Sequence, residues 1–409
     1  MKAFPPLRHV DVMPAEREGQ QVFCLHDSAG YVEGHLELSV PAFFVAALLD
    51  GQSDCRAIQE SFAAQFDGLS VGEEQIQSIV TFLDEQGLLL NERFFALRDE
   101  MDDAFRASEL RPARMADAGY PADVDELRDY LAAFFAGEKG PGPLPETPGT
   151  GAPLTCLVAP HIDLERGGHC YAHAYRALYT HGKPHTVLLF GVAHAGAPVP
   201  FILTRKHFET PLGTVKTNRR MVNTLAKACA WDPYEWEPLH RMEHSLEFQA
   251  LMLAYLYGTD VKIVPILCSS LSEDPDLDDP ESVEAVQEFL LACQSLVLNP
   301  ANSVAVIAGA DLAHVGRCFG DDIDIDADVV SHVEGRDRED LAHVLAGDPE
   351  AFYKSVMQDG NERKVCGLMS IYSALKTVQG TTGVAELLDY GYGPDPAGGI
   401  VSFAGIAIS

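Results

Sequence analysis

From residue 154 onward, short apolar runs alternate with longer amphipathic ones. The runs LTCLVA (154–159), TVLLFGV (186–192), FILTR (201–205), VKIVPILC (261–268), SVAVIAGA (303–310) and VSFAGIAI (401–408) read as strands. Several are apolar almost throughout, the pattern of strands covered on both faces. Between them the spacing predicts helices over 168–181, 218–230, 244–257, 281–297, 337–346, 349–358 and 367–378. Alternation of this kind implies an α/β layered domain with a mostly parallel central sheet. Ligands in such sheets sit outside the carboxyl ends of the strands.

The first hundred residues follow a different pattern. QVFCLHD (21–27) and YVEGHLELS (31–39) alternate and are joined by SAG, which predicts a hairpin. Three helices are expected next. The first is capped by Ser39, has Pro41 in its first turn and ends at Asp50-Gly51. Ser53 caps the second, where Ile58, Phe62 and Phe66 repeat every four residues. Ser70 and Glu73 open the third as a capping box, Ile76, Ile79, Val80 and Leu83 form its stripe, and Gly87 stops it. LLL (88–90) reads as a short strand. Hairpin plus three helices is a small α+β, winged-helix-like pattern. The charged, weakly periodic stretch RDEMDDAFRASELRPAR (98–114) suggests a linker, so the expected domains are 1–98 and 112–409 with a connection over 99–111. DVDELRDYLAAFFAG (123–137) predicts a helix packed on the second domain, and the Pro/Gly-rich 137–153 a loop.

Charge narrows the partners. The 409 residues carry 29 Lys and Arg against 61 Asp and Glu, a formal charge of -32. Such a chain repels nucleic acid and anionic membrane surfaces, so neither is expected as a main partner. Nine cysteines, with no C-x-x-C pair, suit a reducing cytoplasm rather than a disulfide framework. The opening MKAFPPLRHVD has no apolar signal-peptide core, and no run reaches the ~18 apolar residues of a membrane span. A cytoplasmic location is expected.

Candidate chemistry collects at strand ends. LVAPH ends in His161, LLFGVAH in His194, and VIAGADLAH in Asp311 and His314. Neutral imidazoles bind iron, copper or zinc, and a thiolate adds a softer, charged ligand. Asp311 and His314, three apart, can orient a ligand or move a proton. Glu243 and His244 precede a helix with Ser245 as its expected cap, although Glu243 and Glu247 could simply complement the positive helix end. Cys366 stands at a helix start, where thiolate is favoured, and is the expected ligand or reactive thiol. The other cysteines mostly sit inside apolar runs and read as small core residues.

Eight short motifs occur in order: APH (159–161), AHAY (172–175), GVAH (191–194), TPLG (210–213), EHSLE (243–247), IVPIL (263–267), GADLAHVG (309–316) and VCG (365–367). Together with Tyr120 in ARMADAGY, this series resembles the Memo family, protein B of the AmmeMemoRadiSam grouping, over roughly 112–409. The resemblance implies a fold similar to class III extradiol dioxygenases. It implies a metal held by His161, His194 and Cys366, with Asp311 and His314 beside it and His244 a further pocket residue. The chain also departs from the pattern. APHIDL stands for APHAGY, so Asp163 replaces a glycine and Leu164 a tyrosine, which puts an extra carboxylate near His161. GVAH lacks the Pro and second His of GPSHH, and GLMSI replaces a more polar turn after Cys366. The front unit resembles PqqD-like peptide-recognition domains through LLDGQSDCRAIQESF (48–62) and FLDEQGLLL (82–90). That implies capture of a leader peptide as an added strand for a radical SAM protein. A regulatory or dimerising cap is the alternative.

Three functions follow as expectations. The first is a non-haem iron(II) or copper oxidoreductase, dioxygenase-like, acting on an unknown small molecule or peptide, with His314 or His244 as proton shuttle. Sulfur stands where the extradiol enzymes use a carboxylate, so ring cleavage does not transfer with the fold. The second is a non-catalytic partner that binds a peptide and a radical SAM enzyme. The third is zinc-dependent hydrolysis, ranked behind iron and copper.

Overall fold

The computed structural model describes residues 3–32, 34–271, 277, 279–381, 383–395 and 397–409, and divides into two compact units, Met1–Ala107 and Ser108–Ser409. In the first unit β1 (Asp11–Arg17), β2 (Gln20–His26) and β3 (His35–Ser39) form an antiparallel meander. Helices α1 (Val40–Ala47), α2 (Cys55–Gln65), α3 (Glu73–Glu85) and α4 (Glu92–Ala107) follow. Strand β1 escapes the sequence pattern because its residues are nearly all exposed, and Pro14 suits only an edge strand. The turn to β2 uses positive φ at Glu18 (52°) and Gly19 (77°), the conformation of a tight hairpin.

Ser39 caps α1 as expected. The cap of α2 is Asp54 rather than Ser53, since its carboxylate accepts from the Ala57 N–H at 3.0 Å. Helix α3 opens at Gly72, not at Ser70 and Glu73; Gln75 Oε1 reaches back to the Gly72 N–H at 2.8 Å. The stretch expected as linker is helical to Ala107, because α4 buries Phe94 and Phe105 and so has an apolar side after all. A core of Ile58, Phe62, Ile76, Leu83 and Leu88 holds the unit. The buried Arg8 guanidinium meets Asp27 at 2.9 Å and lies 3.9 Å from the Phe94 ring centroid.

The second unit contains, in chain order, β4 (Leu110–Arg111), α5 (Val124–Ala136), β5 (Gly149–Pro153), β6 (Cys156–Ala159), α6 (Leu164–Thr180), β7 (Thr186–Val192), β8 (Phe201–Leu203), β9 (His207–Phe208) and α7 (Arg219–Ala226). It continues with α8 (Glu247–Tyr257), β10 (Lys262–Cys268), α9 (Glu284–Val297), β11 (Val304–Gly309), β12 (His314–Gly316), α10 (Ala327–Leu345), α11 (Pro349–Met357), α12 (Leu368–Val378), β13 (Ala385–Asp395) and β14 (Gly399–Ile408). The sheet order is β12-β14-β6-β11-β7-β10-β8, with β13 on β14. Its centre, β6-β11-β7-β10, is parallel; β14, β12, β13 and β8 join antiparallel, so the whole is a mixed sheet.

The two faces of the centre alternate strictly. Leu188 and Phe190 of β7, Val264 and Ile266 of β10, and Val306 and Ala308 of β11 pack with α7, α9, α11 and α12. Val187, Leu189, Ile263 and Ile307 face α5, α6 and α8. Period-two alternation of two apolar sets is why these strands read as continuous apolar runs. Strand β13 went unforeseen because it is mostly half-exposed and polar, and β5 lies in the stretch expected as a loop. Helix α10 begins at Ala327 rather than near 337; Asp326 caps it, and its first turns carry few buried residues. Among the described residues no helix is long and apolar enough to cross a membrane.

Candidate metal centre

The parallel strands β6, β11 and β7 are neighbours, so their carboxyl ends deliver His161, the 311–314 loop and His194 to one rim. The turn before α12 adds Cys366. One donor atom each from His161, His194 and Cys366 lies within 4.8 Å of the others. Cys366 Sγ is 3.3 Å from His161 Nε2. An ion with metal–nitrogen and metal–sulfur bonds of roughly 2.0 and 2.3 Å at near-tetrahedral angles needs donors about 3.3–3.5 Å apart.

The imidazoles are fixed in the orientation a metal requires. His161 is buried; its Nδ1 bonds the Gly309 carbonyl at 3.0 Å, which makes Nδ1 the donor and leaves the Nε2 lone pair facing Cys366. Its backbone N–H donates to Asp311 Oδ1 at 2.9 Å. His194 Nδ1 meets both Glu243 oxygens, at 3.0 and 3.1 Å, and its backbone N–H donates to Oε2 at 3.1 Å. A carbonyl or carboxylate behind each ligating imidazole is the usual support of a metal site.

Electrostatics agree with that geometry. Burial alone would raise the Cys366 thiol, but His161 and His314 outweigh it and bring it down to about 5. Burial likewise disfavours charge on His161, yet Asp311 and the Cys366 sulfur raise it to about 9. His194 is held up against burial by Glu243, and Glu243 is held well below the carboxylate range chiefly by His194. Without a metal the pocket is therefore a thiolate–imidazolium pair, a charge arrangement that a cation can replace. Burial pushes His244 down to about 3, so it is neutral.

The remaining expected residues spread around this centre. His244 lines the cavity with its ring stacked on His194, centroids 4.9 Å apart, and forms a second close set with His194 and Glu243. Glu243 sits behind the histidines instead of lining the cavity. Asp311 is buried with its carboxylate 3.5 Å from His161 Nε2. His314 lines the cavity and spends Nδ1 on the Leu312 carbonyl at 3.1 Å, leaving Nε2 without a protein partner among the described residues. Asp163 stands at the rim. It caps α6 and binds Arg166 at 2.6 Å, and Arg166 also reaches Asp395 at 3.3 Å, so this carboxylate is committed to the rim. The cavity holds about 360 Å³, with Ile162, Phe248, Phe319 and Val401 as apolar wall.

Two features were not foreseen. Ser245 does not cap α8, whose N-cap position is Leu246 with no side-chain cap; the Ser245 hydroxyl bonds the N–H and carbonyl of Val192 at 3.0 and 3.1 Å. Gly191 and Gly309 allow this: a Cβ at either would come within 2.7 Å of Ser245 atoms. Glu247 is not a solvent-facing complement to the helix end. It is fully buried, paired with Arg111, and accepts from Tyr120 Oη at 2.5 Å and the Met115 N–H at 2.8 Å. Arg111 donates further to the His240 and Glu243 carbonyls at 3.0 and 2.8 Å. Arg111 lay in the stretch expected as linker, and a buried arginine leaves no mark in a charged run.

Comparison with known proteins extends these observations. The family described as Memo-like protein matches residues 111–406. A MEMO1 family protein of Aquifex aeolicus is 27% identical over 98% of this chain and 99% of its own, so the likeness includes the front unit. MEMO1 family proteins of Methanopyrus kandleri (32% identical, 50% of this chain, 69% of theirs) and Thermus thermophilus (29%, 69% and 78%) match shorter spans.

Proposed function

Because the chain belongs to the Memo-like protein family, we propose that it is a metalloprotein in which His161, His194 and Cys366 hold one iron(II) or copper ion for oxidoreductase chemistry. The observation that carries this is the convergence of two imidazoles and one cysteine sulfur, each imidazole backed at Nδ1 by an oxygen. When bound, the ion supplies Lewis acidity and one-electron chemistry, with positions left for a further ligand. The chain's own residues do the rest. Glu243 keeps the His194 lone pair aimed at the site. His314 offers Nε2 to take or return a proton from a molecule in the cavity. Phe248, Phe319 and Ile162 limit water, and about 360 Å³ admits a small molecule or a single side chain. The fold that the motif resemblance implies, similar to class III extradiol dioxygenases, favours dioxygen as co-substrate in this proposal, while the thiolate argues for a product other than that of ring cleavage.

The test is anaerobic expression, elemental analysis and oxygen uptake. His161→Ala and Cys366→Ser should each lose the ion; full iron or copper in either variant places the site elsewhere. Zinc as the ion, with no oxygen uptake, would favour hydrolysis instead.

A second reading rests on the front unit. Strand β1 pairs only with β2 among the described residues and is exposed along its length, so its outer edge can accept a strand. This supports capture of a peptide for a radical SAM partner. Binding of a labelled leader-like peptide to the full chain, lost on Val12→Pro, would support it; equal binding by the variant would remove it.

A further inference from the structure

Behind the 311–314 loop lies a buried ionic cluster. Arg363 donates through Nη1 to Asp337 and through Nη2 to Asp340 Oδ2 at 2.5 Å, and all three are at most 5% exposed. Asp337 Oδ2 also accepts from Ser402 Oγ at 2.5 Å and Tyr390 Oη at 2.9 Å. Ser355 Oγ donates to Asp340 Oδ1 at 2.5 Å. Two carboxylates thus face one guanidinium in the interior, a kind of arrangement that well-packed apolar residues of similar volume often replace without loss of stability.

What the cluster does uniquely is hold backbone. The Ser402 hydroxyl that donates to Asp337 accepts from the Ala313 N–H at 2.9 Å. Ser402 closes a further pair with Ala313 and Leu312: its N–H meets the Ala313 carbonyl at 3.0 Å and its carbonyl the Leu312 N–H at 2.8 Å. Arg363 gives its own carbonyl to the His314 N–H at 2.7 Å. Four residues on, the Gly367 N–H closes onto the Asp311 carbonyl at 3.1 Å. The segment carrying Cys366 and the loop carrying Asp311 and His314 are therefore bound to each other at both ends, and Asp337 fixes both through Arg363 and Ser402. Asp337 and Asp340, one turn apart on α10, present their carboxylates together.

We propose that Asp337, Arg363 and Ser402 are positioning residues that set the distance between the Cys366 sulfur and the histidines at 161 and 314. This rests on the metal site proposed above. Such supporting groups commonly change metal affinity 10–100-fold when removed.

The experiment compares full-length protein with Asp337→Asn, Ser402→Ala and a control, Lys376→Gln. Lys376, near the far end of α12 from Cys366, belongs to another ionic group, with Glu281 and Glu350 at 2.6 Å. Each is titrated with Co(II), recording affinity and the thiolate-to-cobalt absorption, and each is melted. Asp337→Asn should weaken Co(II) about tenfold or more and shift or weaken the thiolate band. Ser402→Ala, which removes a single hydroxyl and folds more safely, should do so severalfold. Lys376→Gln should lower the melting temperature while affinity and band stay put. Asp337→Asn and Ser402→Ala that melt lower but bind and absorb like the parent overturn the proposal and leave a merely structural cluster. Parent protein that takes no Co(II), or takes it without a thiolate band, overturns the metal assignment itself and this proposal with it.

Discussion

Arg111→Met offers the sharpest test of how the site is held from below. In the native protein Arg111 and Glu247 are fully buried, and the guanidinium also serves the carbonyls of Pro112, His240 and Glu243. Met fills similar volume but donates nothing. Glu247 would keep Tyr120 and two backbone N–H groups as donors yet lose its counter-charge, and the His240 and Glu243 carbonyls would lose their partner. Breaking a buried pair from one side costs about 3–5 kcal/mol. In a unit of about 300 residues the unfolding entropy turns that into a fall of roughly 5–8 °C in Tm. The double variant Arg111→Met/Glu247→Leu should recover part of the loss, because the stranded carboxylate goes too. Scanning calorimetry of the metal-free protein reads both. Since Glu243 hangs from Arg111 by its carbonyl, the single variant should also bind Co(II) more weakly. A Tm within about 2 °C of the parent, with unchanged Co(II) affinity, would refute the argument that this pair organises the segment bearing Glu243 and His244.

Three other outcomes are expected. Glu243→Gln keeps the shape behind His194 but removes the charge, and should weaken Co(II) about 10–100-fold with little change in melting. Gly367→Ala would put a Cβ 2.4 Å from the Asp311 carbonyl, so the Cys366 turn must move away from the loop; a loss of about 1–3 kcal/mol by denaturant titration and weaker metal binding should follow. The third concerns pH in the metal-free protein. Cys366, lowered from 9.0 to about 5, contributes stability that is complete above pH 9 and disappears as pH falls through 5; His161, raised from 6.5 to about 9, contributes stability that is complete below pH 6.5 and disappears as pH rises through 9. Between pH 6.5 and 5 only the thiol's share changes, so the protein should lose stability relative to Cys366→Ser across that window, and an unchanging difference in Tm would contradict the thiolate–imidazolium pair.

Much of this architecture is local in origin and therefore readable along the chain. TVLLFGV is β7 to the residue, because seven successive buried positions, nearly all apolar, leave few alternatives to an interior strand. The strand-end motifs place His161, His194, Asp311 and His314 at one rim as soon as the sheet is taken to be parallel at its centre, and Cys366 stands out because it alone among the cysteines opens a helix at a Gly. Capping is also local, but rival acceptors one or two residues apart, such as Ser53 and Asp54, differ by too little for spacing to choose between them.

What only the tertiary structure decided is which polar residues go inside. A buried Arg111, Asp337 or Glu247 has the same letters as an exposed one, and its burial depends on partners 26 to 136 positions away. The same holds for α4 and β13, whose weakly apolar patterns become ordered elements once neighbours cover one side. Hydrophobic periodicity is set by nearest turns and pleats, so the chain carries it openly. Desolvating a charge is favourable only when an opposite charge arrives from elsewhere in the fold, and that condition is met in three dimensions, not along the sequence.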